Sequence, residues 1–122
     1  MFYKITLQGR VPSKKNSKRR IKRGNHIFMV PSEAHEAWHT EQMWVLKEMR
    51  VPLVQGVTRV ELKFYAGDKR KGDLSNKAES IMDLLVDAGV LEDDNWFVVP
   101  KLNLTLGGVD KENPRAEIEI HK

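Results

Sequence analysis

Between Thr58 and Ala88 the apolar pattern changes its period from two to about three and a half, and that switch constrains the fold more than any other feature of the chain. Thr58, Val60, Leu62 and Phe64 alternate with Arg59, Glu61, Lys63 and Tyr65, the mark of a strand with one buried and one polar face. Beyond Gly67, Ala78, Ile81, Met82, Leu85 and Ala88 recur at helical spacing, and Gly89 stands where a left-handed residue would end that helix. Two further runs alternate in the same way, Tyr3, Ile5 and Leu7 near the start and Ala116, Ile118 and Ile120 near the end. A strand-bearing face of this kind needs a cover, and the second helix, from about Glu33 to Met49, supplies one. Ser32 is a good N-cap for it, Pro52 lies just beyond its end, and Ala34, Trp38, Val45 and Met49 suggest its buried stripe, with Trp44 off that stripe at the rim or at a subunit interface.

The remaining segments complete the expected order of strand, loop, strand, helix, strand, helix, strand, strand. Arg10 to Gly24 reads as a long basic loop, His26 to Val30 as a short strand, and Trp96 to Leu106 as a strand interrupted by Pro100, which suits an edge or a bulge. Gly107-Gly108 and Asn113-Pro114 bound the turn into the last strand. The expectation is one α+β domain over residues 1–122, a mixed or mainly antiparallel sheet with two packed helices. A chain of 122 residues can build one core without staples, and the absence of cysteine excludes disulfides and thiolate metal sites. No apolar run approaches membrane-spanning length, and the opening Met-Phe-Tyr-Lys-Ile-Thr-Leu alternates like a strand instead of forming a signal-peptide core. A cytoplasmic protein with no membrane partner is expected.

Chemistry concentrates around the second helix. Asp73 opens it and Asp93-Asp94 lie just past its end, so carboxylates stand beyond both ends. A helix of about fourteen residues is roughly 20 Å long; these acids meet only if the chain after Gly89 folds back along it or a second subunit supplies one, and spacing leaves both open. Carboxylates beside a basic surface are what phosphodiester hydrolysis requires, because oxygen ligands hold Mg²⁺ against the phosphate. The basic surface is present: Arg10, Lys14, Lys15, Lys18, Arg19, Arg20, Lys22 and Arg23 occur with no acid among them, and Lys69, Arg70 and Lys71 directly precede Asp73. The net charge of +4 is therefore less informative than its asymmetry. The plain alternatives are a solvated loop for the charge run and an N-cap for Asp73.

His35-Glu36-Ala37-Trp38-His39 fits a different chemistry, the H-E-x-x-H pattern that binds Zn²⁺ through two histidines one turn apart, with the glutamate as general base. A zinc peptidase needs a third protein ligand, and no later His or Glu falls on a suitable second helix. An exposed helix face is the simpler reading of the pair. Trp96 and Phe97, directly after the acidic turn, read as core aromatics, with base stacking as the alternative.

The segment from Lys69 to Asp94, with its basic residues, Asp73-Leu74-Ser75-Asn76, amphipathic helix, Ala88-Gly89 and Asp93-Asp94, resembles the signature of the RusA-type Holliday junction resolvases. Val11-Pro12-Ser13-Lys14-Lys15-Asn16 is similar to that family's N-terminal basic loop, so the likeness covers most of the chain. The resemblance implies a homodimeric endodeoxyribonuclease that resolves four-way or other branched DNA by paired nicks in recombination and repair, with Mg²⁺ as cofactor and Mn²⁺ as substitute. It implies Asp73 and Asp94 as metal ligands with Asp93 beside them, and Glu79, a carboxylate one turn further along the helix, is expected to join that catalytic set. Lys14, Lys15, Asn16, Arg19, Arg20, Lys69, Arg70 and Lys71 are implied as DNA-binding residues. Two departures stand out. Ser75 occupies a position where the family commonly has a second carboxylate, and Glu79 stands where it carries a helix lysine; Lys77, two residues earlier, points about 200° away around the axis. A branched-DNA binding protein with weakened catalysis is the alternative these departures raise.

Overall fold

The computed structural model describes residues 2–13 and 18–122. Its main sheet has four strands, β1 (Phe2–Gln8), β4 (Arg59–Ala66), β5 (Leu102–Val109) and β6 (Arg115–His121), in the order β1-β6-β4-β5. β6 runs antiparallel to both β1 and β4, whereas β4 and β5 are parallel, so the sheet is mixed. The two-residue alternation has the consequence it implies: Val60, Leu62, Phe64, Ala116, Ile118 and Ile120 are buried, and their neighbours Arg59, Glu61, Lys63, Glu117 and Glu119 are not. Helices α1 (Glu33–Glu48) and α2 (Leu74–Asp87) join that apolar face in a single cluster, to which α2 contributes Ala78, Ile81, Met82, Leu84 and Leu85 and α1 contributes Leu46. The architecture is α+β.

Parallel β4 and β5 cannot be joined by a tight turn, and α2 is the crossover between them. This places Asp73 after the C-terminal end of β4 and the Asp93-Asp94 turn on the way to the N-terminal end of β5. The far end of α2 is tightly closed. Ala88 is its C-cap, Gly89 takes φ +75°, and the N–H groups of Val90 and Leu91 both donate to the Leu85 carbonyl. Val54 N–H then donates to the Val90 carbonyl at 2.9 Å, tying this exit to the segment that leads into β4.

Three segments differ from the expected pattern. The expected Arg10–Gly24 loop contains a strand, β2 (Lys18–Arg23), paired antiparallel with β3 (His26–Pro31) in a separate two-stranded sheet. Cations at nearly every position of β2 hide its alternation, but Gly24-Asn25 makes a two-residue turn with Gly24 at φ +60°, the place where a II′ hairpin takes glycine. The expected strand from Trp96 to Leu106 is strand only from Leu102, because the Asn95 side-chain oxygen accepts from the Phe97 and Val98 N–H groups and makes a turn of the preceding residues. Pro100 precedes β5, which is indeed an edge strand, and the β4–β5 register shifts between Phe64 and Tyr65. A Cβ on Gly107 would stand 2.7 Å from the Tyr65 ring, so any larger residue there would have to displace that ring. The α1 stripe is met in part. Trp38 and Val45 pack against the core, whereas Ala34 and Met49 are exposed. His35, Gln42 and Leu46 are the buried residues, and two of these are polar, so a count of apolar positions misses them. Trp44 is 61% exposed.

Candidate active site

At the start of α2, Asp73 is the N-cap. Its Oδ1 accepts from the Ser75 N–H at 3.0 Å, the Ser75 hydroxyl at 2.7 Å and the Asn76 N–H at 3.4 Å. Ser75, in the position where a second carboxylate was expected, is thus a donor to Asp73, and its hydroxyl helps to hold that carboxylate in place. The surroundings are cationic. Asp68 receives Arg10 Nη1 at 2.8 Å, Arg70 Nε at 2.9 Å and the Arg70 N–H at 2.9 Å, and these bonds hold its carboxyl at about 2. Gly67 keeps room for the Arg10 guanidinium, whose Nε would lie 2.6 Å from a Cβ placed there. Lys77 Nζ donates to the Val11 carbonyl at 2.7 Å, and burial first, then the charges of Arg10 and Arg70, press its proton affinity down. Lys77 is therefore turned to the segment around Val11, while Glu79 is exposed.

Of the expected DNA-binding residues, Lys69, Arg70 and Lys71 are exposed next to Asp73, with Arg70 paired to Asp68. Arg20 is exposed on β2, but Arg19 is paired with Glu33 at 2.7 Å and Glu36 at 3.4 Å on α1. Lys14, Lys15 and Asn16 lie outside the described residues.

The other acids form a second cluster. Asp93 Oδ1 accepts the Asp94 N–H at 2.7 Å and Oδ2 accepts Asn95 Nδ2 at 2.9 Å, bonds that lower the Asp93 pKa. Asp94 is shifted upward, first by burial, then by its hydrogen bond to Asp93, and further by the negative charges of Asp93 and Asp83. Asp83 had no place in the expected site. It lies four residues after Glu79 on α2, a spacing that puts the two on one side of the helix. It also lies ten residues after Asp73, about 15 Å along the axis. Asp83 is thus one of the charges felt by Asp94 where the chain returns past the end of α2.

Among the described residues, the only three His, Asp or Glu side chains with ligand atoms all within 4.8 Å of one another are Glu61, Glu119 and His121 on the polar face of the sheet. There His121 Nε2 lies 3.1 Å from Glu119 and 3.6 Å from Glu61, and Asn103 donates to Glu61 at 3.2 Å.

His35 and His39 do not form a metal pair. The Ser80 hydroxyl gives its one proton to the Pro12 carbonyl at 2.7 Å, so it accepts from His35 Nε2–H at 3.2 Å. His39 Nε2 lies 2.9 Å from an Asp87 oxygen. Both nitrogens are engaged by α2, and His35, only 4% exposed, is part of the interior. Ser80→Ala should leave the Pro12 carbonyl and the His35 N–H without this partner, lowering stability by about 1–3 kcal/mol; the midpoint of urea unfolding measures it.

No curated protein matches the chain. The family model for endodeoxyribonuclease RusA matches residues 9–121, a span that includes Arg10, the whole of α2 and the acidic turn beyond it. With nearly its entire length accounted for in this way, the chain belongs to the RusA endodeoxyribonuclease family.

Proposed function

We propose that the protein is a divalent-metal-dependent, homodimeric endodeoxyribonuclease that resolves four-way and other branched DNA by paired nicks, in recombination and repair. What supports this most is the family match over residues 9–121, within which Asp73 caps α2 beside the exposed cations Lys69, Arg70 and Lys71. Bound Mg²⁺, or Mn²⁺ in its place, lowers the pKa of its water and neutralises charge developing on the scissile phosphate. Asp94 and Asp73 are its proposed ligands, with Asp93 orienting the turn through its bonds to the Asp94 N–H and Asn95. Glu79 and Asp83 extend the negative surface along α2.

A homodimer is the arrangement proposed for these acids. Asp73 opens α2 and Asp94 follows the turn that closes it, so a twofold axis that sets two such helices antiparallel would let each Asp73 approach the Asp94 of the second copy. Such a pair would build two equivalent sites, one for each strand to be nicked. Lys69, Arg70 and Lys71 beside Asp73, with Arg20, Lys14, Lys15 and Asn16, then hold backbone phosphates, which position the DNA without reading its sequence. Arg19, paired with Glu33 and Glu36, orients β2 against α1.

A second reading, a branched-DNA binding protein with weak catalysis, is favoured by one observation: Ser75 gives its hydroxyl to Asp73 where a second ligand would serve a metal. Incubation of a labelled synthetic four-way junction with Mg²⁺, Mn²⁺ or EDTA, and linear duplex as control, separates the two. Paired, metal-dependent nicks in the junction support the nuclease; tight binding without nicks supports the second reading; absence of both binding and nicks overturns both. Replacing Lys14 and Lys15 with Ala should weaken junction binding and reduce the slope of log K against log salt by about 2, at roughly 0.9 for each phosphate no longer neutralised. An unchanged slope removes these lysines from the interface.

A further inference from the structure

The turn after Asp94 is built to project two aromatic rings. Trp96 is 78% exposed and Phe97 89% exposed, the most exposed large apolar side chains among the described residues. They are not loosely held. Asn95 receives Phe97 N–H at 3.0 Å and Val98 N–H at 3.2 Å on its side chain, its backbone carbonyl receives Val99 N–H at 2.9 Å, and Val99 is buried in the core. The rings meet edge to face, 6.2 Å between centroids at 78°, so each keeps a face open. Exposing this much apolar surface beside a site has a cost in water, and a ligand that covers it recovers that cost.

Phe97 also forms one wall of an open cleft of about 210 Å³, whose other lining comes from Val54 to Val57, Glu92 and Val98. This is smaller than the roughly 300–1,000 Å³ of sites for drug-sized ligands, and it suits a single ring system. Gln55 Nε2 donates to Glu92 Oε1 at 2.8 Å across it, leaving the amide oxygen of Gln55 and the second oxygen of Glu92 as further acceptors. The charge selects the occupant. Glu92, Asp93 and Asp94 are consecutive, and this negative run repels a phosphate placed in the cleft but not a neutral ring that carries N–H donors.

We propose that this cleft takes one unpaired base of the branched DNA, stacked on Phe97, flanked by Trp96 and hydrogen-bonded through its exocyclic amine to Glu92 and Gln55. The proposal rests on the nuclease reading above and deepens it: Phe97 is three residues from Asp94, so capture of the base would set a nucleotide at the branch point next to the metal-binding acids. Gln and Glu are residue types that read base edges, and base stacking on aromatic rings tolerates any sequence. Branch recognition would then rest on the availability of an unpaired base, not on phosphate contacts alone.

The test uses the full chain with a duplex carrying a single-base bulge of 2-aminopurine, the same duplex fully paired, and a four-way junction. Binding of the bulged DNA to the wild type should quench tryptophan fluorescence and perturb the 2-aminopurine signal more than binding of the paired duplex does. Phe97→Ala should weaken binding of bulged DNA by about tenfold or more, equivalent to about 1.4 kcal/mol, with binding of paired duplex unchanged, and Phe97→Tyr should restore it. Because Phe97 is almost wholly in solvent, both variants should melt with the wild type. If Phe97→Ala weakens bulged and paired DNA equally, or neither, base capture is overturned while the nuclease reading stands. If it turns a dimer into a monomer in sedimentation, the aromatics belong to a subunit interface and the proposal is overturned. If the wild type binds no DNA, both readings fall together.

Discussion

Asp94→Asn is expected to lower four-way-junction cleavage by two orders of magnitude or more, about 3 kcal/mol in activation free energy at 1.36 kcal/mol per decade, while leaving junction binding intact or tighter. The carboxamide keeps the shape but is a neutral, poorer ligand for a hard cation. The same substitution should raise the thermal midpoint in EDTA at neutral pH. Asp94 is shifted upward in the folded protein, so the folded state holds its proton more strongly than the unfolded chain does. Stability from this group is present at acid pH and is lost as pH rises through its folded pKa, where the ionised carboxylate stands against Asp93 and Asp83. Removing that charge removes the repulsion. A variant that neither loses cleavage nor melts higher would make Asp94 a structural residue of the turn. Asp73→Asn should also abolish cleavage, and the two inactive variants together give the sharper result. A mixed dimer of Asp73→Asn with Asp94→Asn would join the intact Asp73 of one chain to the intact Asp94 of the other at one of its two sites. Single-strand nicking should therefore return on mixing, without paired cuts. No recovery from a mixture shown to exchange subunits would place both acids of a site in one chain.

Leu85→Ala is expected to destabilise the protein by about 2–5 kcal/mol, enough to lower the thermal midpoint by roughly 10 °C. Leu85 is fully buried, as are its neighbours Ile81 and Leu84, and its carbonyl accepts from both Val90 and Leu91. The truncation thus opens a cavity where α2, its closing turn and the sheet meet. Denaturant unfolding reads the loss, and cleavage measured well below the new midpoint should change far less than stability, because Leu85 touches no expected ligand of metal or DNA. A loss under about 1 kcal/mol would mean that the core around α2 collapses into the space without strain.

How much of this was legible beforehand depends on the range of the interactions. Strands β1, β4 and β6 and helix α2 could be read from periodicity, because their alternation is a direct imprint of one buried face. The Asp73 cap and the Gly89 stop are local devices, each complete within a few residues, and both are present. The Asp73–Asn76 and Asp93-Asp94 motifs pointed to the family, and the family match covers the segment that bears them. β2 escaped because its side chains carry almost no apolar signal and its partner β3 supplies the pairing. The inner face of α1 was read only in part because His35 and Gln42 are buried polar residues, and His35 is hydrogen-bonded there to Ser80, forty-five residues away.

Sequence by itself determined the α+β class, the amphipathic helix between two carboxylate groups, and the basic segments that flank it, since each depends on residue type and short spacing. Only the tertiary structure decided which carboxylates meet. The parallel pairing of β4 with β5 makes α2 a crossover, and the chain that leaves it past Gly89 carries Asp94 to a place where the charges of Asp93 and Asp83 act on it. Spacing along a chain sets how far apart two residues can be. Which of them come close is settled by the packing of strands and helices distant in sequence, because only burial of their shared apolar face fixes the path between them.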